Sequence, residues 1–295
     1  MRKPIIFIVF YISFLSIAHG QDNFSESFLY TPKNIQVYIP AFAGLDNKLQ
    51  SNLIYKTYVG KLSIIRTQYA DLNWNIRKVE EGGRRIAQHV VGGGFYSDRE
   101  GDFFNKTRIL SRYALHIPIS ETLFLSAGIS VHAINYSFHA SGTGTSGSDI
   151  QLSGNLGTAL SSSTFKLGAS MSDFNNPEIR PINYAYVIYR YSTFYVEKTI
   201  PVGANTFLRG GGRYNQVWGH SASFLAQLGL LFSRAIGLSS FYYLDKGWGL
   251  ALEVNQIKIN EENQFDLSFA YQIPSQNQNP PANQYEINLQ YYLKK

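Results

Sequence analysis

Ser130 and His132 lie two residues apart, and His220 precedes Ser221 and Ser223, so two places pair a hydroxyl with an imidazole. A serine nucleophile needs a base within hydrogen-bond reach and a third group to orient that base. Same-face neighbours on a strand are about 7 Å apart, and the sequence sets no acid beside either pair. A polar histidine on the hydrophilic face of a strand is therefore the better reading. Six scattered histidines and no cysteine offer no metal-ligand spacing. Gly92-Gly93-Gly94 and Gly210-Gly211-Gly212 lack the Lys and Ser/Thr of a phosphate loop, and no helix follows either triplet. Glycines that let strands bend or approach closely account for them. No catalytic, cofactor-binding or metal-ligating set is assigned, and the chain reads as non-enzymatic.

The elements that would position these residues are strands. Tyr285, Ile287, Leu289, Tyr291 and Leu293 share one face, while Glu286, Asn288, Gln290 and Lys294 share the other. The same alternation runs through Leu123–Ala133, Ala222–Phe232 and Phe265–Ile273. Segments of this kind predict fourteen strands, with twelve as the alternative count: 48–58, 62–76, 85–96, 104–117, 121–137, 150–160, 163–172, 182–196, 204–216, 220–233, 235–244, 247–258, 263–273 and 283–293. Residues 85–96 and 182–196 alternate least regularly. All ten prolines fall outside these segments, as a ladder that needs every N–H requires. The fold class that follows is all-β, an antiparallel transmembrane β-barrel with its apolar face toward lipid. A soluble β-sandwich would also alternate, but it needs neither so many strands nor tyrosines gathered at their ends. Short turns at 118–120, 161–162, 234 and 260–262 would face the periplasm with both termini. The longer connections 137–149, 173–181 and 274–282 would face outward. Trp218, Trp248, Tyr136 and Phe138 then belong to an outer aromatic girdle, and Trp74 and Tyr291 to an inner one.

Met1-Arg2-Lys3, an apolar run from Ile5 to Ile17 and the small residues of Ala18-His19-Gly20 predict a signal peptide over 1–20, cleaved before Gln21. Thirteen apolar residues are short for the ~20 of a membrane-spanning helix. The absence of cysteine excludes a lipid-anchored cysteine and any disulfide framework. Aromatic residues make up 15% of the chain and charged residues only 16%, against about 25% in soluble domains. Without Arg2 and Lys3 the charge is 24 basic against 20 acidic residues, too small an excess to argue for nucleic acid. The predicted organisation is a signal peptide (1–20), a pre-barrel segment (21–47) and the barrel (48–295). Pro32 and Pro40 keep the pre-barrel segment from pairing as a regular strand, and it is expected to pack in or under the lumen.

Gln21–Gly60 (QDNFSESFLYTPKNIQVYIPAFAGLDNKLQSNLIYKTYVG) resembles the opening of the PorP/SprF family of type IX secretion proteins. Pro40-Ala41-Phe42-Ala43-Gly44 matches the family's Asn-Pro-Ala-aromatic-Ala-Gly motif, with Ile39 in place of Asn. Lys56–Gly60 stands for its Gln-Trp-x-Gly element, with Tyr58 in place of Trp. Val91–Gly101 is similar to its glycine-rich strand and the loop after it, here Ser97-Asp98-Arg99-Glu100-Gly101. Tyr113–Ile117, Leu125–Gly128, Phe165–Asp173 and Asn283–Tyr291 resemble later strands in the same order. The resemblance implies an outer-membrane barrel that supports secretion or surface anchoring of a cognate adhesin or gliding protein. The implied partners are a cell-surface protein with a type IX C-terminal signal domain, periplasmic or lipoprotein parts of the apparatus, and outer-membrane lipid. It implies no cofactor, and Pro40, Ala41, Phe42 and Gly44 are expected to act structurally. The alternative is a porin or transporter for a small or hydrophobic solute, and a lipid-modifying enzyme is more distant.

Overall fold

A computed structural model describes residues 28–45, 47–76, 86–139, 146–182, 185–219, 222–244, 246–275 and 282–293. Its strands are β1 (Leu49–Tyr58), β2 (Arg66–Ile76), β3 (Gln88–Glu100), β4 (Phe104–Pro118), β5 (Phe124–His139), β6 (Ser146–Ser161), β7 (Phe165–Ser172), β8 (Glu178–Ile179) and β9 (Tyr186–Val187). The series continues with β10 (Tyr191–Pro201), β11 (Thr206–Val217), β12 (Ala222–Phe232), β13 (Ile236–Tyr243), β14 (Gly247–Lys258), β15 (Asn263–Pro274) and β16 (Gln284–Leu293). All except β8 and β9 join one closed antiparallel barrel of fourteen strands. Closure is made by β16 on β1, from Leu49 opposite Leu293 to Tyr58 opposite Gln284. We call the end that carries Leu49 and Leu293 the terminal rim and the opposite end the far rim.

The period-2 pattern decides which side chain meets which solvent. On β16, Gln284, Glu286, Asn288 and Gln290 are buried inside, while Ile287 and Leu289 lie on the outer surface. On β2, Asp71, Asn73 and Asn75 point in, and Leu72, Trp74 and Ile76 point out. Polar-in and apolar-out is the arrangement a barrel needs in lipid, where only a closed ladder satisfies every backbone group. No helix among the described residues is long and apolar enough to cross a membrane.

Several boundaries move. The eighth predicted segment, 182–196, is displaced: Tyr186–Val187 pairs with Glu178–Ile179 in a separate two-stranded sheet, and the barrel strand begins only at Tyr191. Residues 97–100, read as a loop, continue β3 up to the turn at Gly101, which takes the left-handed φ of +76°. The connection predicted at 137–149 shortens because β5 runs to His139 and β6 starts at Ser146; residues 140–145 lie outside those described. Pro118, Pro201 and Pro274 close β4, β10 and β15 instead of lying beyond them, at ladder ends where a missing N–H costs least. Trp74, Trp218 and Trp248 are on the outer surface near the rims, as expected. Tyr136 is a correction. It is buried inside against Phe104, at 5.2 Å between ring centroids, because even positions of β5 face the lumen.

The far rim is stepped. β6 has sixteen residues and β7 eight, so they pair only over Asn155–Ser161 and Lys166–Ser172. The connection from 173 to 190, described over 173–182 and 185–190, fills the step through its described residues. Phe174 N–H donates to the Gly154 carbonyl (3.3 Å), the Asn175 amide to the Leu152 carbonyl (2.7 Å), and Arg180 N–H to Asp149 (2.7 Å).

A charge on the lipid face separates this wall from that of a soluble sheet. Leu228→Arg, mid-strand on β12, is expected to cost about 2–4 kcal/mol in denaturant unfolding from liposomes. Ile259→Arg, at the terminal rim, should cost about 0–1 kcal/mol. Equal costs at the two positions would contradict the assignment of the outer surface.

Candidate functional site

Eight strands just fill a barrel interior with side chains, whereas sixteen leave a channel, so a fourteen-stranded wall needs something more to close it. Residues 28–45 supply it. Thr31–Tyr38 forms one helix, α1, with Pro32 in the first turn, where a missing N–H is harmless. Thr31, Pro32, Asn34, Ile35, Gln36, Val37 and Tyr38 are all buried. A 3₁₀ turn, Pro40–Phe42, follows.

Both ends of α1 are held by the wall. Its N-terminus carries no side-chain cap of its own. Glu286 on β16 takes that place: its carboxylate accepts the Leu29 N–H (2.6 Å), the Tyr30 N–H (3.3 Å) and the Asn34 amide (3.0 Å). An anion there satisfies two backbone donors just ahead of the helix and lies at the positive end of its dipole. At the other end, Arg213 stacks over the Tyr38 ring at 3.8 Å, and Ser170 donates to the Tyr38 carbonyl (2.9 Å). Phe28 N–H donates to the Tyr38 hydroxyl (2.8 Å), and the Tyr243 hydroxyl donates to the Phe28 carbonyl (2.9 Å).

Charges on the helix and wall pair in one chain. Lys33 donates to Asp266 (2.6 Å) and Asn255 (2.6 Å) and lies 3.9 Å from Glu253. Glu253 in turn binds Arg209 and the Tyr30 hydroxyl. A register shift in β14, where Gln256 takes φ +59°, follows directly on Asn255. A second buried group lies on β2 and β4: Arg112 binds Asp71 (3.0 Å) and the Tyr69 hydroxyl (3.2 Å).

The motif Pro40, Ala41, Phe42 and Gly44 lies against glycines. A Cβ on Gly128 would stand 2.4 Å from the Ala41 nitrogen, and one on Gly168 would stand 2.6 Å from the Phe42 ring. One on Gly157 would meet Pro40 at 3.1 Å. Three neighbouring strands thus leave an inner groove that only glycine keeps open. Gly44 has φ +64° and packs against Val90. The Ala43 carbonyl accepts from His116 Nε2 (2.9 Å), which leaves Nδ1 to accept from Ser126 (2.7 Å). The triplets Gly92–Gly94 and Gly210–Gly212 also serve close approach: a Cβ on Gly92 or Gly211 would overlap the neighbouring strand.

Ser130 and His132 are both buried on the inner wall. The sequence reading missed one point: an acid does stand beside His132, namely Asp173 from the step connection, at 3.0 Å. Arg108 also binds Asp173, at 3.3 Å. No hydrogen bond joins Ser130 to His132 among the described residues, so the group is an ion-paired latch and lacks the geometry of a triad. Burial opposes ionisation of Asp173, yet the Arg108 guanidinium and His132 outweigh it and hold the carboxyl below the usual range. His220 and Ser221 lie outside the described residues. The sequence reading also missed Glu286, Lys33, Arg209 and Glu253. Their signal was charge on the polar stripe of a strand, where an open lumen would have explained it equally well.

The architecture defines a class: an outer-membrane barrel whose own N-terminal segment plugs its lumen. Residues 18–291 match the pattern of the family described as type IX secretion system membrane protein PorP/SprF, and the chain belongs to that family. No curated protein matches it in sequence. Among solved structures it is similar to the Pseudomonas putida toluene transporter TodX, with TM-score 0.52 and 8% identity over 94% of this chain and 96% of that one. A TodX deltaS2 mutant, described as a monoaromatic hydrocarbon channel, gives TM-score 0.56 and 9% identity over 90% and 95%. The Ralstonia pickettii toluene transporter TbuX gives 0.51 and 7% over 88% and 92%. These likenesses show the barrel fold.

Glu286→Ala leaves two backbone donors and an amide without their acceptor, at an expected cost of about 2–4 kcal/mol. Hydrogen exchange should then quicken over residues 28–36 while β5–β7 stay protected. Gly128→Val should loosen residues 40–44 in the same measurement. Because the Asp173 carboxyl is held low, its contribution is full above the unfolded-state value near 4 and falls away only as pH drops below that. Protection factors over residues 174–182 and 185–190, corrected for intrinsic exchange, should therefore be flat from pH 7 to about 5 and fall under stronger acid.

Proposed function

We propose that this outer-membrane barrel is a plugged, non-enzymatic partner of type IX secretion that holds a cognate cell-surface protein through its far-rim connections. The observation that carries this reading is the filled lumen. A wall occupied by α1 and tied by Glu286, Arg213 and the Lys33–Asp266 pair is built as an anchor. On this reading residues 1–20 are a cleaved signal peptide and the terminal rim faces the periplasm, where lipoprotein or other apparatus components would meet it. The far rim then faces outward, and the step connection 173–190, with its β8–β9 sheet, presents the contact for a cargo carrying a type IX C-terminal signal domain. The predicted outward connections 137–149 and 274–282 include 140–145 and 276–281, which lie outside the described residues. The motif Pro40–Gly44 seats the plug and makes no cargo contact.

The rival reading is a channel for a hydrophobic solute, favoured by the likeness of the wall to TodX and TbuX. Planar-bilayer recording separates the two. The anchor reading expects electrical silence from the wild-type barrel and openings only when Glu286→Ala frees the plug. Steady wild-type conductance would favour the channel.

Replacing residues 176–189 with a short Gly-Ser link keeps Asp173 and its ion pairs. The expected result is a folded barrel whose cognate surface protein is released into the medium and no longer co-purifies. Undiminished surface retention would overturn the role given to the step connection.

A further inference from the structure

At the far rim the outer surface of β2–β5 breaks the apolar pattern. Inward positions are Thr67 and Tyr69 on β2, Tyr96 on β3, Lys106 and Arg108 on β4, and Ile134 and Tyr136 on β5, all buried. The residues between them therefore point out. In register across four strands run Arg66, Arg99, Asn105 and Ser137. One rung below run Gln68, Ser97, Thr107 and Asn135. The next rung is Ala70, Phe95, Ile109 and Ala133, where the exposed Phe95 and Ile109 begin the lipid-facing band. Two polar rungs standing directly on an apolar one mark the level of lipid headgroups.

Arg66 and Arg99 face each other as a cross-strand pair. Like charges so placed destabilise a sheet. Arg99 pairs with Asp102 at 2.9 Å, while the Arg66 side chain has no hydrogen-bond or ion-pair partner among the described residues. Asp102 offsets that repulsion at Arg99 alone, and an anion between the two guanidinium groups would relieve the rest. The two arginines line a cleft of about 490 Å³ with Gln68, Ser97, Asn105 and His139. That volume is far larger than one phosphoryl group; besides Asp102, which is paired with Arg99, and the apolar Phe103 and Phe104, the lining is donors and acceptors suited to hydroxyls.

We propose that this cleft binds the phosphorylated sugar headgroup of a membrane glycolipid. Arg66 and Arg99 clamp the phosphoryl oxygens, and Gln68, Ser97 and Asn105 meet the sugar hydroxyls. The acyl chains lie down the outer wall over Phe95 and Ile109. The leaflet involved is the one at the far rim, which is the outer leaflet in the orientation proposed above.

Native mass spectrometry of the full-chain barrel in detergent tests this with four probes: a bisphosphorylated disaccharide lipid, its dephosphorylated form, phosphatidylglycerol and inorganic phosphate. The expected order has the bisphosphorylated lipid tightest, and Arg66→Gln/Arg99→Gln should weaken it by about tenfold or more. Both positions are on the outer surface, and a thermal transition of the variant no lower than that of the wild type confirms that the barrel is intact. If phosphatidylglycerol binds as well as the glycolipid, the sugar assignment falls. If inorganic phosphate competes at equal concentration, the cleft is a free-anion site and the lipid assignment falls. Equal binding by wild type and variant overturns the site altogether. The wild-type ranking of the four probes needs no variant, and it is independent of whether the step connection holds a cargo.

Discussion

Filling the lumen takes water away from the charges that line it, and that single constraint governs the interior. A lone buried ion costs several kcal/mol, whereas a paired and hydrogen-bonded one is tolerated. Hence Lys33 of the plug lies against Asp266 and near Glu253, Arg209 shares Glu253 with Tyr30, and Glu286 closes on the start of α1. The wall is polar inside for a reason more specific than contact with a channel of water. Asp266, Glu253 and Glu286 complement residues 28–45, while Arg112 with Asp71 and Arg108 with Asp173 pair away from the plug.

The outer surface obeys the opposite rule. Leu228, Leu230, Leu250 and Leu252 stand on it because lipid offers nothing to a polar group, and the strands that carry them alternate cleanly. That regularity is why the barrel was legible in the sequence, down to the closing strand Tyr285–Leu293. What the sequence hid are the places where alternation weakens. Val90–Gly94 reads poorly because its inward glycines make room for Asn73 and Asp71 on the neighbouring strand. Residues 182–190 read as a strand because Tyr186 and Val187 are strand formers, yet a two-residue sheet at the rim captures them. Asp173 could not be joined to His132 in advance, since forty-one residues separate them and only the step between β6 and β7 brings them together. The pre-barrel segment was legible as irregular from Pro32 and Pro40, while its depth in the lumen depends on partners 250 residues away.

Family and fold point to different neighbours here, and the difference is physical. A fourteen-stranded wall is a solution to spanning lipid and carries no chemistry of its own, so proteins of separate descriptions share it at under a tenth identity. Distinctive detail sits inside the wall and at its rims. The inner groove of Gly128, Gly157 and Gly168 shapes a seat for Pro40–Phe42.

Glu286 sits on the last strand of the chain and grips residues near the first. The same strand zips to β1 and seals the cylinder. A segment ringed by continuous hydrogen-bonded wall has no lateral way in once that seam is complete. Glu286 thus belongs both to the seam with β1 and to the seat of residues 28–45, so the strand that closes the wall also fixes the plug. Contacts spanning more than 250 positions carry a high loop-closure cost, so the hold of β16 on the plug is among the least local in the fold.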